Sequence, residues 1–300
     1  MIKIPWEFHA TNENFKRMNQ LLEIAIEAAV KGGKAIMEIY RSGDFGVEMK
    51  SDNSPLTLAD RAAHEVIEQD LVKTDIPILS EEGEHNDYEE RKDWSQLWIV
   101  DPLDGTKEFV KKTGEFTVNI ALIENNYPVL GVVFVPATGV LYYGDAKDGA
   151  YKLMLNSDWE ENFSLSEQIK GAVKLPSNQR NEKLQIVASV SHLSKETEDF
   201  AEILKEKFGK ADFVSVGSSL KICKVAEGTA DIYPRLGPTM EWDTAAGQAV
   251  AESAGALFIN WKTLKRFDYN RPNLLNNWFV VSGNKIPEEE LVVMIKESKL

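Results

Sequence analysis

Two aspartates stand three residues apart in the hexapeptide Asp-Pro-Leu-Asp-Gly-Thr at 101–106, directly after an apolar run. Carboxylate oxygens, joined by a backbone carbonyl such as that of Leu103, are the ligands that Mg²⁺ prefers. Gly105 lets the backbone approach a ligand closely, and if a helix starts there, the N–H groups of Gly105 and Thr106 face an anion. The hexapeptide therefore predicts a divalent cation site beside a phosphate group.

Two further acidic features lie elsewhere in the chain. Glu81 follows an apolar run that ends at Ser80, and Asp243 lies near the start of a predicted helix. Each feature alone is also typical of a polar turn or a helix N-cap. Their joint occurrence favours one metal site built from four separated acids: Glu81, Asp101, Asp104 and Asp243.

These segments, with Trp-Asp-Thr-Ala-Ala-Gly at 242–247, resemble the inositol monophosphatase superfamily of Mg²⁺-dependent, lithium-sensitive phosphatases, from about Asn14 to Val281. Within the superfamily the chain resembles the bacterial 3'(2'),5'-bisphosphate nucleotidases. The stretches that carry this finer match are 50–60, 107–109, 114–120, 217–221, 233–238 and 242–247. The resemblance implies a phosphoric monoester hydrolase that converts 3'-phosphoadenosine 5'-phosphate to AMP and phosphate during sulfate assimilation.

The resemblance also implies roles for individual residues. Glu81, Asp101 and the Leu103 carbonyl would hold one Mg²⁺, and Asp101, Asp104 and Asp243 a second. Asp60 would lie near a third, weaker metal site and act with Glu81 and Thr106 as a catalytic residue on the attacking water. Li⁺, and as a further candidate Ca²⁺, would inhibit. The implied substrate-binding residues are Glu81, Leu103, Asp104, Gly105, Thr106, Ser191, His192, Ser218, Ser219, Lys221, Arg235 and Asp243.

Three other functions fit parts of this pattern. Haloacid-dehalogenase phosphatases also place aspartates before Gly-Thr, but with an Asp-x-Asp spacing, whereas these acids are three apart. A calcium-binding or scaffold protein is disfavoured because the EF-hand spacing is missing from Asp101 onward. Inositol monophosphate or fructose bisphosphate, hydrolysed with the same metals, stays the main alternative. Gly217-Ser-Ser is equally an ordinary N-cap for the helix that follows.

The hydropathy pattern indicates the elements that position these residues. Helical periodicity covers 14–40 and 60–71, and closely spaced β-rich runs between 97 and 155 predict an antiparallel meander. From 184 onward, strand-like and helical segments alternate, which predicts an α/β lobe. With the resemblance, this implies the layered sugar-phosphatase fold with alternating αβαβα layers. We expect an N-terminal lobe over 1–156 with most metal ligands, and a C-terminal lobe over 157–300 with Asp243 and the nucleotide-binding segments.

Composition limits the partners of the chain. With 300 residues and a formal net charge of −14, the chain lacks the positive balance that a sequence-independent grip on nucleic acid needs. The single cysteine, Cys223, is expected to be a small buried hydrophobe. There is no apolar run of membrane-spanning length. We expect a cytoplasmic monomer or homodimer that takes a small phosphorylated nucleotide, with peripheral association with the inner membrane as an alternative location.

Overall fold

The structure, a computed structural model, describes residues 12–49, 55–84, 86–177, 183–188 and 194–298. The helices are α1 Asn12–Ser42, α2 Leu58–Leu71, α3 Tyr88–Arg91, α4 Thr106–Val110, α5 Leu165–Gln168, α6 Lys195–Phe208, α7 Leu220–Glu227, α8 Glu241–Ser253 and α9 Glu288–Glu297. The strands are β1 Glu48–Met49, β2 Pro55–Leu56, β3 Ile78–Ser80, β4 Gln96–Asp104, β5 Thr117–Glu124, β6 Tyr127–Val135, β7 Val140–Asp145, β8 Gly149–Met154, β9 Val173–Lys174, β10 Leu184–Val187, β11 Ala211–Val214, β12 Ile232–Arg235, β13 Leu257–Asn260 and β14 Phe279–Ser282.

The larger sheet has the strand order β3-β4-β5-β6-β7-β8-β9. Strands β4 to β9 pair antiparallel in sequence order, so the predicted meander is confirmed. At the other edge, β3 runs parallel to β4, with Ser80 opposite Val100. Because parallel strands end at the same edge of a sheet, the residues that follow β3 and β4 are brought side by side.

The smaller sheet has the order β11-β10-β12-β14-β13. Its first three strands are parallel, and β14 pairs antiparallel with β12 and β13. Helices α6 and α7 connect the parallel strands, as such crossovers require. The predicted α/β second lobe is therefore confirmed.

Three apolar clusters stack the elements into layers. Helices α1 and α2 cover one face of the larger sheet, where Ile26, Ile67 and Phe134 are buried together. Helices α7 and α8 fill the space between the two sheets, and α6 and α9 cover the outer face of the smaller sheet. Gly131 on β6 lets α8 approach closely, because a Cβ there would overlap the carbonyl of Ala246. The predicted αβαβα layering is confirmed.

Several boundaries differ from the sequence-based expectations. The hydropathy pattern predicts strands over 213–216 and 231–233, whereas the structure has them at Ala211–Val214 and Ile232–Arg235. The helix Glu288–Glu297 was not predicted. Strand β9, beyond residue 156, joins the larger sheet, while the division into lobes at 156 stays a prediction. None of the described helices combines the length and the apolar composition that crossing a membrane requires.

Candidate active site

The parallel pair β3 and β4 brings Glu81 and Asp101 together. Glu81 directly follows β3, and its backbone N–H donates to the carbonyl of Val100 at 3.1 Å, which extends the parallel pairing by one residue. Asp101 is the next residue on β4 and is 1% exposed. One sheet edge thus supplies two of the predicted acids, and their backbones are fixed by strand pairing.

A bulge at the end of β4 brings the next acid into the site. Asp101 pairs with Asn119 on β5 and Asp104 with Thr117, so β4 carries one extra residue between the two pairs. Such a bulge bends a strand and redirects its side chains. Gly105, the N-cap of α4, has a φ of 92°, which suits glycine, and Thr106 is the first residue of α4. A helix therefore starts directly after the acids, which the sequence analysis left as a condition.

Asp243 enters from the C-terminal half, in the first turn of α8. Its carboxylate accepts the backbone N–H of Met240 at 2.8 Å, which anchors the side chain across the helix start. One carboxylate oxygen from each of Glu81, Asp101 and Asp243 lies within 4.8 Å of the other two. The spatial convergence on which the sequence-based metal site depends is therefore present for these three acids.

Burial and mutual repulsion change the protonation of these acids. Burial, together with the charges of Glu81 and Asp104, raises the pKa of Asp101 well above its usual range. Burial also raises the pKa of Asp243 to about 8, with the charge of Asp104 adding to the effect. The pKa of Asp104 rises to about 6 because burial outweighs the opposing charge of Lys221. Without a cation, the cluster holds protons near neutral pH.

The residues present fit a divalent metal ion. Oδ2 of Asp101 is buried and has no hydrogen-bond partner among the described residues, while Oδ1 accepts the N–H of Leu103 at 3.0 Å. An unpartnered buried carboxylate oxygen is costly unless a ligand satisfies it. Oxygen donors from Glu81 and Asp243 beside it form the hard donor set that Mg²⁺ accepts.

Asp60 approaches the site from the start of α2. Its Oδ2 accepts the backbone N–H and the hydroxyl of Thr57 at 2.7 and 2.6 Å, which caps the helix. Its Oδ1 accepts the Thr106 hydroxyl at 3.4 Å. The predicted partners Asp60 and Thr106 are therefore adjacent, and the cap fixes the orientation of the carboxylate.

A buried polar network behind the acids was not predicted. The Ser219 backbone N–H donates to Asp104 at 2.5 Å, and the Ser219 hydroxyl donates to Asn119 at 2.8 Å. The Thr117 hydroxyl lies 2.8 Å from that of Ser219. The network ties the start of α7 to the metal-site strands. Thr117 and Asn119 alternate within an apolar strand, and that alternation was the signal available in the sequence.

Basic groups lie beside Asp104 at the other end of the site. Burial lowers the pKa of Lys221, and the positive charge of Arg235 acts in the same direction, while the charge of Asp104 opposes both. The Ser218 hydroxyl and Nε of Arg235 are buried, and in the part of the chain that the structure describes they have no hydrogen-bond partners. Tyr233, also not predicted, is buried beside these groups, and burial raises its pKa to about 12. Predicted substrate residues Ser191 and His192 lie outside the described residues.

The sequence model of the inositol monophosphatase family matches residues 17–298. The chain belongs to the inositol monophosphatase family. This family is metal-dependent, in agreement with the acidic cluster of Glu81, Asp101 and Asp243.

Individual members of the inositol monophosphatase family resemble the chain to different degrees. The 3'(2'),5'-bisphosphate nucleotidase CysQ of Escherichia coli O157:H7 is 44% identical over 266 residues, covering 87% of this chain and 99% of the relative. The crystal structure of CysQ from Bacteroides thetaiotaomicron is 47% identical, covers 89% of this chain and 98% of that chain, and superimposes with a TM-score of 0.79. An IMPase from Thermotoga maritima is 25% identical, with coverages of 95% and 98% and a TM-score of 0.65.

Proposed function

We propose that this protein is a Mg²⁺-dependent 3'(2'),5'-bisphosphate nucleotidase that hydrolyses the 3'-phosphate of 3'-phosphoadenosine 5'-phosphate to AMP and phosphate. The observation that carries the proposal is the meeting of Glu81, Asp101 and Asp243 at one point, with an unpartnered oxygen on Asp101. Sequence identity of 44% and 47% to two proteins named CysQ supports this substrate class. We further propose a cytoplasmic location.

The proposed metal ligands are divided between two main ions. Glu81, Asp101 and the Leu103 carbonyl hold one Mg²⁺, while Asp101, Asp104 and Asp243 hold a second. A third, weaker site lies near Asp60, and Li⁺ inhibits. When bound, such a cation pair activates an attacking water and neutralises charge on the phosphoryl group. The raised pKa values of Asp101 and Asp243 support this assignment, because a cation is the missing counter-charge.

Residues of the chain itself orient the nucleophile. The hydrogen bond from Thr106 to Asp60 fixes the hydroxyl proton, so the Thr106 oxygen is left to accept a hydrogen bond from a water molecule. The second O–H of the water donates to Glu81, which takes this one proton as the new P–O bond forms and the P–O bond to the 3'-oxygen breaks. The two acceptors aim the water at phosphorus. Water attacks directly in this scheme, so no covalent phospho-enzyme forms.

The second phosphate of the substrate needs donors that the metal ligands do not supply. Lys221 and Arg235 provide positive charge next to Asp104, and the unpartnered Ser218 hydroxyl and Arg235 Nε offer hydrogen bonds. We assign the second phosphate to these three residues. Ser191 and His192 are proposed to contact the nucleoside, and Ser219 acts through its hold on Asp104.

Phosphate release from a matched pair of substrates tests the proposal. We expect kcat/KM for 3'-phosphoadenosine 5'-phosphate to exceed that for inositol 1-phosphate, with activity that requires Mg²⁺ and falls with Li⁺. Lys221→Met should raise KM for the bisphosphate more than for the monophosphate, because only the bisphosphate has a second phosphate that Lys221 can contact. An equal or reversed preference in the wild-type protein would overturn the substrate assignment.

A further inference from the structure

The connection between β3 and β4 carries a buried arginine that the reaction scheme does not use. Arg91, at the end of α3, is 3% exposed, although it belongs to a short acidic segment on the surface. An arginine is rarely buried this fully unless its guanidinium has several partners. The connection begins with the proposed metal ligand Glu81, directly after β3, and leads into β4, which carries Asp101 and Asp104 at its far end. Its position therefore bears directly on the site.

Among the described residues, three of the four hydrogen-bond acceptors of the Arg91 guanidinium belong to the C-terminal half of the chain, and the guanidinium also lies 5.2 Å from the centre of the Tyr88 ring. Its guanidinium donates to Oδ1 of Asn270 at 2.8 Å and to the carbonyl of Arg271 at 2.7 Å. In return, the Asn270 side chain donates to the Arg91 carbonyl at 2.7 Å. The local hydrogen bond runs from Nε of Arg91 to the carbonyl of Asn86 at 3.3 Å. Arg91 and Asn270 are therefore joined by reciprocal hydrogen bonds that cross from one half to the other.

The same segment fixes the start of α8. Glu241 is 0% exposed, and its carboxylate accepts the backbone N–H groups of Asn270 and Arg271 at 2.7 and 3.0 Å. Nε of Arg271 donates to it as well, at 3.0 Å. Glu241 stands two residues before Asp243 in the first turn of the helix. Any shift of the segment 270–271 is thus passed to the turn that carries Asp243.

These contacts form a closed circuit of residues around the proposed metal site. Glu81 lies at the start of the connection that Arg91 anchors, and Arg91 binds the segment 270–271. That segment binds Glu241, which is in the same helical turn as Asp243. A carboxylate oxygen of Asp243 lies within 4.8 Å of one of Glu81, which closes the circuit. The acids at the centre repel one another when no cation is present. A separate set of contacts must therefore hold them together, since supporting hydrogen bonds orient metal ligands before the ion binds.

We propose that Arg91 is a positioning residue of the metal site, which acts through Asn270 and Glu241 to keep Asp243 within reach of Glu81 and Asp101. The inference rests on the proposed function, because it assumes that these acids bind Mg²⁺. Arg91 touches neither metal ligand nor substrate in this scheme. Its replacement should weaken metal binding beyond any general loss of stability.

The chain offers a matched control at the other end of the same helix. Arg266 forms a bidentate pair with Glu252 near the end of α8, with Nε at 2.9 and 3.0 Å from the two carboxylate oxygens. Arg91→Lys and Arg266→Lys each keep the charge and lose the planar fork of the guanidinium. Asn270→Gly is a second variant, since glycine tolerates the positive φ of 59° there and removes only the side-chain bonds to Arg91.

Calorimetric titration of MgCl2 into the full-length, EDTA-treated protein gives the decisive measurement, with Tm recorded for each metal-free variant. We expect Arg91→Lys or Asn270→Gly to weaken Mg²⁺ binding roughly tenfold, whereas Arg266→Lys lowers Tm and leaves Mg²⁺ affinity at the wild-type value. Wild-type affinity in both Arg91 and Asn270 variants, or an equal loss in Arg266→Lys, overturns the positioning role. Failure of the wild-type protein to bind Mg²⁺ would instead overturn the proposed function, and this inference with it.

Discussion

Asp101 and Glu227 are equally buried carboxylates in opposite electrostatic settings. Each is 1% exposed. Glu227, at the end of α7, accepts the Tyr142 hydroxyl at 2.6 Å and ammonium groups from Lys152 and Lys224. Burial alone would raise the pKa of Glu227, but these partners lower it below the usual value. Asp101 has acids as its neighbours and one oxygen without a partner, and its pKa is raised.

The charge of the neighbouring groups distinguishes an acid with a structural role from an acid that binds a ligand. Around Glu227 the protein supplies every counter-charge, so the folded state is already satisfied without any added ion. Around Asp101 the protein supplies only more negative charge, an arrangement that costs stability unless a cation binds. Burial alone therefore does not distinguish the two acids, whereas the sign of the neighbouring charge does.

The largest effect is expected from Asp101→Asn. Removing this carboxylate should lower kcat/KM for the bisphosphate by roughly 10³-fold, the scale seen when one electrostatic stabiliser of a transition state is lost. The metal-free variant should be as stable as the wild type or more stable, because a neutral amide replaces an acid whose ionised form is disfavoured by burial and by the neighbouring acids. Phosphate release and urea denaturation in EDTA measure the two effects. A large loss of metal-free stability would mean that Asp101 is a structural acid like Glu227.

Glu227→Gln should give the reverse result. The substitution keeps the shape but removes the charge that Lys152 and Lys224 share, and we expect a loss of about 2 kcal/mol in the free energy of unfolding. Both lysines are partly exposed, so water limits the loss. Urea denaturation checks the change, and kcat/KM of the folded variant should match the wild type. An inactive but fully stable variant would break the contrast between the two acids.

Much of the layered fold could be predicted from sequence because its elements are long and periodic. The bounds of α7, Leu220–Glu227, follow from hydropathy and turn residues alone. The acids of the candidate site could be predicted only as a set, since each alone is typical of a polar turn or a helix N-cap, and their joint occurrence favours a metal site. The buried residues that hold these acids in place could not be predicted. Arg91 lies 179 residues from Asn270 in the sequence, and no local sequence pattern indicates that their side chains form hydrogen bonds.

The pH dependence of metal-free stability tests the same contrast through the protons that the acids bind. In the folded protein the pKa of Asp243 is about 8, against a usual value of 3.8. Between these values the folded state holds a proton that the unfolded chain has released, so the free energy of unfolding should fall as pH rises from about 4 to 8. Glu227, with its lowered pKa, contributes with the opposite sign: its stabilisation is present above its ordinary pKa and is lost as pH falls.

Asp243→Asn tests this assignment because the amide keeps an oxygen for the N–H of Met240 but does not titrate. Urea denaturation in EDTA from pH 5 to 8 should show a shallower decline for the variant than for the wild type. Part of the decline is retained through Asp101, whose pKa is also raised, and up to about pH 6 through Asp104. In Mg²⁺ the wild-type decline should shrink or reverse, because the metal competes with protons for the same oxygens and binds more tightly as pH rises. Identical slopes for wild type and variant in EDTA would show that Asp243 is already ionised without metal, and that its surroundings resemble those of Glu227 after all.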